Sequence, residues 1–111
     1  MSDETLGTAI DALAATIRSR AGADAATSYT ASLLQAGPAK CAKKLGEEAA
    51  ETIIAALAEN DAALTNEAAD LVYHLLVLLE SRNVGFGAVL ERLEARMGTS
   101  GLTEKAARTG G

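Results

Sequence analysis

The stretch NEAADLVYHLLVLLES, residues 66–81, decides the fold because it is apolar on nearly every side beyond Asp70. Its apolar run covers only residues 71–79 and is interrupted by His74, whereas a membrane-spanning helix needs about 20 apolar residues. A helix that is apolar all round must be covered on every side. The other short helices of one small chain can scarcely cover it, so we predict a helical bundle completed by homodimerisation.

Working outward, the remaining segments also carry helix signals and predict an all-α fold, a small bundle of about four to five helices. The first predicted elements are an amphipathic helix at 5–20 and a short helix between the cap Ser28 and the stop Gly37. A long helix follows from Pro38 to about Glu59 and ends in a polar turn. Thr65 or Asn66 then caps a helix that runs to about Ser81, and an amphipathic helix follows at 86–97. We expect one domain over residues 1–97 and a polar tail over residues 98–111.

Length and composition restrict the class of protein. With 111 residues, 49% of them hydrophobic and 3% aromatic, the chain has room for one domain with a core of Ala, Leu, Ile and Val. A formal net charge of −5, without a basic face, argues against nucleic acid as a partner. The single cysteine, Cys41, permits no intramolecular disulfide, and the N-terminus has no signal-peptide pattern. We expect a cytoplasmic protein that has no membrane segment.

Acidic side chains recur at helical spacing in two places. Glu47, Glu48 and Glu51 span about 100° of the long helix, on one flank of its apolar stripe. Glu67 and Asp70 repeat the three-residue spacing on the next helix. A short connection makes the two helices antiparallel, but packing decides whether the carboxylates meet. Two interpretations stay open at this point: a converging cluster, or a solvated face whose glutamates pair with neighbouring lysines.

A converging cluster would need a divalent cation, since carboxylates at close range disfavour one another's ionisation. Oxygen ligands without a Cys/His cluster point to Mg²⁺, with Mn²⁺ as a substitute. The one histidine, His74, makes no Glu-x-x-His pair of the di-iron kind, and alone it is more typical of a hydrogen-bonded core residue. Lys40, Lys43 and Lys44 precede the acids by about one turn. Because Mg²⁺ commonly shares its ligand shell with phosphate, the predicted substrate class is a polyphosphate ester.

Two quoted segments carry a family resemblance. SYTASLLQAGPAKCAKKLGEEAAETIIAAL at 28–57 and NEAADLVYHLLVLLESRNV at 66–84 closely resemble the phosphoribosyl-ATP pyrophosphatases of histidine biosynthesis. The match runs over about residues 28–97, and SGLTEKAAR at 100–108 looks like the family's own ending. The Glu-Glu-x-x-Glu motif with a downstream Glu-x-x-Asp is less specific, since the wider all-α, MazG-like nucleotide pyrophosphatases share it. The cysteine and histidine ligands of the fused cyclohydrolase domain are missing, so the chain resembles the stand-alone form.

The resemblance implies Mg²⁺-dependent hydrolysis of phosphoribosyl-ATP to phosphoribosyl-AMP and pyrophosphate. By motif position, it implies that the metal ligands are Glu47, Glu48, Glu51, Glu67 and Asp70. Lys44 would be a catalytic phosphate contact, with either Glu48 or Glu51 as the base that takes a proton from water. The remaining predicted substrate contacts are Lys40, Lys43, Ser28, Tyr29, Lys105 and Arg108. For Ser28 and Tyr29, a helix cap and a packing ring are equally compatible with the sequence.

Three other hypotheses compete with this assignment. The chain could be a pyrophosphatase for a different, non-standard nucleotide. It could be a non-catalytic dimerising helical module whose acids form a solvated face. An acidic regulator that binds Mg²⁺ and nucleotide without turnover lies between these two.

Overall fold

The computed structural model describes residues 3–98, and of residues 3–7 only the backbone. Every regular element in that range is an α-helix, which confirms the all-α prediction. The helices are α1 (Asp3–Ser19), α2 (Tyr29–Ala36), α3 (Pro38–Ala58), α4 (Asp61–Ser81) and α5 (Phe86–Met97). Apart from Gly98, which ends α5, the predicted tail lies outside the described residues. The division into one domain and a tail therefore stays a prediction.

The junction between α2 and α3 follows the sequence signals. Ser28 has extended backbone angles, and its hydroxyl accepts a hydrogen bond from the Ala31 backbone N–H at 3.1 Å. Gly37 adopts a φ of 99°, a backbone conformation that residues other than glycine rarely adopt. It therefore turns the chain between the two helices. Pro38 then occupies the first turn of α3, where its missing N–H costs nothing.

The start of α4 differs from the prediction. The helix begins at Asp61 and its cap is Asn60, whose side chain accepts a hydrogen bond from the Ala63 N–H at 2.9 Å. The prediction of Thr65 or Asn66 as the cap is wrong. Asn60 is itself a strong N-cap residue, and the negative charge of Asp61 suits the positive end of the helix dipole. The link between α3 and α4 is consequently very short, and the two helices form an antiparallel hairpin.

The core lies where α1, α2 and α3 pack against the second half of α4. Its buried side chains are Ile17, Leu33, Cys41, Leu76 and Val77. An ion pair of 3.2 Å between Arg18 Nε and Glu80 Oε1 also joins α1 to α4. The Cys41 thiol is buried and donates to the Leu33 carbonyl at 3.3 Å, which makes it a packing residue. Helix α5 adds no fully buried residue.

An apolar surface remains uncovered on the α3–α4 hairpin. Ile53, Ile54 and Leu57 on α3 are 59%, 55% and 84% exposed. On α4, Val72 and Leu75 are 42% and 36% exposed. The predicted need to cover α4 on every side is therefore only partly met by the described residues of one chain.

By length and composition alone, α4 is also long and apolar enough to be a candidate membrane span, with a mean hydropathy of 1.3 over its most apolar window. Core helices pass the same test, so this is a weak indication. The helix carries Glu67, Asp70 and the buried His74.

Candidate metal and phosphate site

The α3–α4 hairpin brings carboxylates from both helices to one place. Glu48 of α3 and Glu67 and Asp70 of α4 each offer an oxygen, and these three oxygens lie within 4.8 Å of one another. The sequence left open whether the acids meet within one chain. The early start of α4 answers the question, because it sets Glu67 beside the middle of α3.

Two of these carboxylates have buried oxygens without a hydrogen-bond partner. They are Glu48 Oε2 and Glu67 Oε2. A buried carboxylate oxygen that no donor satisfies is costly, and such oxygens are normally paired or bind a metal ion. An all-oxygen donor set suits a hard divalent cation such as Mg²⁺. The residues present therefore fit a metal of that class.

The pKa shifts of the clustered carboxyls also favour a bound cation. Partial burial, followed by the nearby charge of Glu51, raises the pKa of the Glu48 carboxyl. Partial burial also raises the pKa of Glu67, and the nearby Glu51 carboxylate raises it further. Glu51 itself is exposed, so it lies at the solvent side of the group. A cation beside Glu48 and Glu67 would oppose both of these upward pKa shifts.

Glu47 forms an ion pair with Lys44, which lies about one helical turn earlier on α3. Lys44 Nζ lies 3.0 Å from Glu47 Oε2, and this hydrogen bond lowers the pKa of Glu47 and raises that of Lys44. Lys40 and Lys43 are exposed and add positive charge near Glu47. The structure thus groups Glu48, Glu67 and Asp70, with Glu51 adjacent, and places Glu47 with the lysines.

Thr52 links the two helices at the cluster, and the sequence analysis missed it. Its hydroxyl lies 2.7 Å from the Glu48 carbonyl oxygen and 3.2 Å from the Glu67 carbonyl oxygen. In the sequence, a threonine within an apolar stripe predicts a packing role. The one feature that could have linked it to the carboxylates was its position one turn after Glu48.

A polar aromatic cluster lies next to the carboxylates, where α2 meets α4. Tyr29 Oη is 3.2 Å from His74 Nε2, and His74 Nδ1 is 2.8 Å from the Asp70 carbonyl oxygen. Tyr73 stacks with Tyr29 and shares a hydrogen bond with Thr30. His74 is 5% exposed, which agrees with its predicted place as a hydrogen-bonded core residue.

Comparison with known proteins agrees with this geometry. The family model for phosphoribosyl-ATP pyrophosphohydrolase matches residues 10–97. A phosphoribosyl-ATP pyrophosphatase of Jannaschia sp. (strain CCS1) is 56% identical over 101 residues, 91% of this chain and 99% of the relative. The chain belongs to the phosphoribosyl-ATP pyrophosphohydrolase family.

Two further phosphoribosyl-ATP pyrophosphatases are similar to this family member over most of both chains. That of Methylobacterium radiotolerans is 59% identical over 96 residues, 86% of this chain and 90% of the relative. That of Cereibacter sphaeroides (strain ATCC 17029 / ATH 2.4.9) is 54% identical over 101 residues, 91% of this chain and 98% of the relative. The predicted resemblance and the prediction of a hydrolase are confirmed.

The remaining predicted contacts of this pyrophosphohydrolase stand as follows. Ser28 caps α2, and its neighbour Tyr29 is 53% exposed beside the carboxylate cluster. Lys105 and Arg108 lie outside the described residues. The roles assigned to single residues, in catalysis or in binding, stay predictions.

Proposed function

We propose that this chain hydrolyses phosphoribosyl-ATP to phosphoribosyl-AMP and pyrophosphate in a Mg²⁺-dependent reaction, as a cytoplasmic enzyme of histidine biosynthesis. The observation that carries the proposal is the group of three carboxylates with two buried, unpartnered oxygens between α3 and α4. The names of its relatives support the substrate, since each is a phosphoribosyl-ATP pyrophosphatase.

In this proposal Glu48, Glu67 and Asp70 hold the metal, and Glu51 joins them from the solvent side. Glu47, whose Oε2 is paired with Lys44, would complete the predicted five ligands through its other carboxylate oxygen or by giving up that pair. When bound, Mg²⁺, or Mn²⁺ in its place, screens the phosphate charge and stabilises the charge that develops on the leaving pyrophosphate.

The chain's own residues then bind the phosphates and move a proton. Lys44 contacts a phosphate oxygen, and the exposed Lys40 and Lys43 add fixed positive charge along the same side of α3. A water molecule attacks the phosphoanhydride and gives its proton to Glu51, while the bridging P–O bond breaks and pyrophosphate leaves. The exposure of Glu51, next to the more buried Glu48 and Glu67, supports its choice over Glu48 as the base.

We further propose that the active enzyme is a homodimer in which the exposed apolar surface of the hairpin is covered by a second copy. Its support is the contiguous exposure of Ile53, Ile54 and Leu57, since soluble monomers seldom expose a large apolar patch.

Pyrophosphate release by the purified chain tests the reaction. Phosphoribosyl-ATP, ATP and dUTP are compared, each with Mg²⁺ and with excess chelator. We expect Mg²⁺-dependent release from phosphoribosyl-ATP and little from the other two. Preferred turnover of dUTP or ATP would assign a different nucleotide. No turnover of any nucleotide would contradict a catalytic role.

A further inference from the structure

The middle of α3 carries a glycine that one chain does not explain. Gly46 is exposed, and a Cβ placed on it would meet no heavy atom of the described residues within 4 Å, beyond its chain neighbours and the backbone of its own helix. Glycine weakens a helix relative to alanine, because it loses more conformational freedom on folding. It does, however, let another helix approach closely. Gly46 is therefore suited to a close contact with a neighbour from outside the chain.

Gly46 belongs to an exposed stripe of α3, which we call the α3 stripe and which consists of Gly46, Ala50, Ile53 and Leu57. Spacings of four, three and four residues keep these positions on one face of the helix. Ile53 and Leu57 are 59% and 84% exposed. The α3 stripe lies on a different side of the helix from Thr52, whose hydroxyl contacts the Glu67 carbonyl oxygen of α4. Packing within the chain therefore leaves the α3 stripe open.

The α3 stripe is complementary in shape to a second copy of itself that runs in the opposite direction. Its first two residues are small, and its last two are large. In an antiparallel pair with two-fold symmetry, Leu57 of each copy lies over Gly46 of the other. Ile53 likewise lies over Ala50, so every level pairs a large side chain with a small one. A parallel pair would set Gly46 against Gly46, which leaves an unfilled space.

The distribution of charge along α3 favours the same direction. Lys40, Lys43 and Lys44 all lie in the first part of the helix, where no acidic residue is present. The glutamates begin at Glu47, and Glu59 follows at the C-terminal cap. Antiparallel packing brings the basic part of each copy to the acidic end of the other, whereas parallel packing brings like charges together. Charge complementarity of this kind selects the orientation in which two surfaces bind.

We propose that the α3 stripes of two copies of this chain pack antiparallel, with Gly46 of each copy beneath Leu57 of the other. The inference rests on the proposed homodimer and deepens it, because it assigns the orientation of the two copies and the residues that meet. It also gives Gly46 a role, since its missing side chain makes the room that Leu57 fills. Each chain keeps its own carboxylate group, because Glu48 lies on the side of α3 that faces α4.

Paired cysteines test the direction of packing. Gly46→Cys and Leu57→Cys are combined in one chain, which is oxidised mildly and analysed on a non-reducing gel. The two positions are about three turns apart on one helix, so they cannot form a disulfide within a chain. We expect a disulfide-linked dimer from the double variant and none from either single variant, because an antiparallel pair separates identical positions. Linking of each single variant would indicate a parallel pair and would overturn the proposal.

Gly46→Cys combined with Ala58→Cys is the matched control. Ala58 is the exposed neighbour of Leu57 and is rotated from it by about 100° around the helix, off the α3 stripe. This variant should give little linked dimer. The unaltered chain should give none, because the Cys41 thiol is buried. Equal linking of the two double variants would mean random collision and would contradict a defined contact.

Exchange of the small and the large residue tests the fit. Gly46→Leu should leave the fold of each chain intact, since the position is open and leucine favours a helix. It should raise the dissociation constant of the dimer about tenfold or more in analytical ultracentrifugation, because two large side chains then meet. Addition of Leu57→Ala to the same chain should restore much of the affinity. A Gly46→Leu dimer as tight as the unaltered one would overturn the proposal.

The same measurements separate this arrangement from the homodimer itself. If the unaltered chain is a dimer but the variant with Gly46→Cys and Leu57→Cys does not link, the antiparallel contact is wrong and the homodimer stands. If the unaltered chain sediments as a monomer, both are wrong. Neither outcome changes the proposed reaction, which pyrophosphate release tests separately.

Discussion

At the scale of single residues, Glu48 is the side chain on which the proposed metal site depends most. One of its buried oxygens lacks a hydrogen-bond partner, and partial burial, followed by the charges of Glu51 and Asp70, raises its pKa. A side chain in such surroundings weakens the metal-free fold and becomes favourable only beside a cation. Stability and activity should therefore respond to Glu48 in opposite directions.

We predict that Glu48→Gln lowers the rate of pyrophosphate release by about a hundredfold or more, because a metal ligand is lost. In excess chelator the same variant should melt at a higher temperature than the unaltered chain, since one repelling charge is gone. Mg²⁺ should raise the melting temperature of the unaltered chain and leave that of the variant nearly unchanged.

Glu59→Gln is the control for Glu48→Gln. Glu59 is an exposed glutamate at the end of the same helix, outside the carboxylate group. It should leave both the rate and the Mg²⁺ response as they are. A Glu48→Gln enzyme that retained its rate and its Mg²⁺ response would contradict the assignment of Glu48.

Thr52 offers a finer test, because it contacts the backbone of two proposed ligands and does not bind the metal itself. Thr52→Val keeps the shape but removes the hydroxyl that lies near the Glu48 and Glu67 carbonyl oxygens. We predict that the Mg²⁺ concentration for half-maximal activity rises about threefold to tenfold. Thr52→Ser should restore it. Equal Mg²⁺ requirements in all three enzymes would mean that the hydroxyl does not position the cluster.

At the scale of elements, the hairpin of α3 and α4 determines whether the acids meet. The motifs predicted which residues are acidic and that they share helix faces, but not their convergence. Convergence depends on the register of the hairpin, and the register depends on where α4 begins. The stretch ENDAALTN, residues 59–66, predicted a turn because Asn and Asp favour turns. The same residues also favour the N-cap and first turn of a helix.

The short α2 and the start of α3 were predictable for the opposite reason. Ser28, Gly37 and Pro38 are each suited to one position at a helix end, so local chemistry alone defines these boundaries. The link from Tyr29 to Asp70 through His74 was not predictable, because it joins residues far apart in the chain through tertiary packing.

The cap of α4 gives a prediction for the hairpin. Asn60→Ala removes the side-chain oxygen that accepts from the Ala63 N–H, and it should lower the free energy of unfolding in urea by about 1 kcal/mol. Asn60→Asp keeps an acceptor and should retain most of the stability. Both variants should keep their Mg²⁺ requirement, because the cap is distant from Glu67 along the helix. An unchanged stability in Asn60→Ala would contradict Asn60 as the cap.

At the scale of the whole molecule, the uncovered apolar surface is the feature that one chain does not explain. The all-round apolar pattern of residues 66–81 predicted a need for cover, and the exposed Val72 and Leu75 agree with it. On α3, Ile53 is 59% exposed and lies on a different side of the helix from the buried Ala55. The partner that covers this surface stays a prediction.

We predict that Leu57→Glu, at the most exposed apolar position of the α3 patch, converts a dimer into a monomer in analytical ultracentrifugation. A charge at the centre of an apolar interface would be buried without a partner. Met97→Glu is the control, since Met97 is 74% exposed but lies at the end of α5, away from the patch. A monomeric unaltered chain, or a dimer that survives Leu57→Glu, would contradict this interface.

The central claim is that a divalent metal sits between the carboxylates of α3 and α4. Crystals grown with Mn²⁺, measured at the manganese absorption edge, test it directly through the anomalous difference density. We predict a peak between Glu48, Glu67 and Asp70, and its loss in crystals of Glu67→Gln. A crystal saturated with Mn²⁺ that showed no peak there, or a peak only at solvent-exposed surface acids, would contradict the claim.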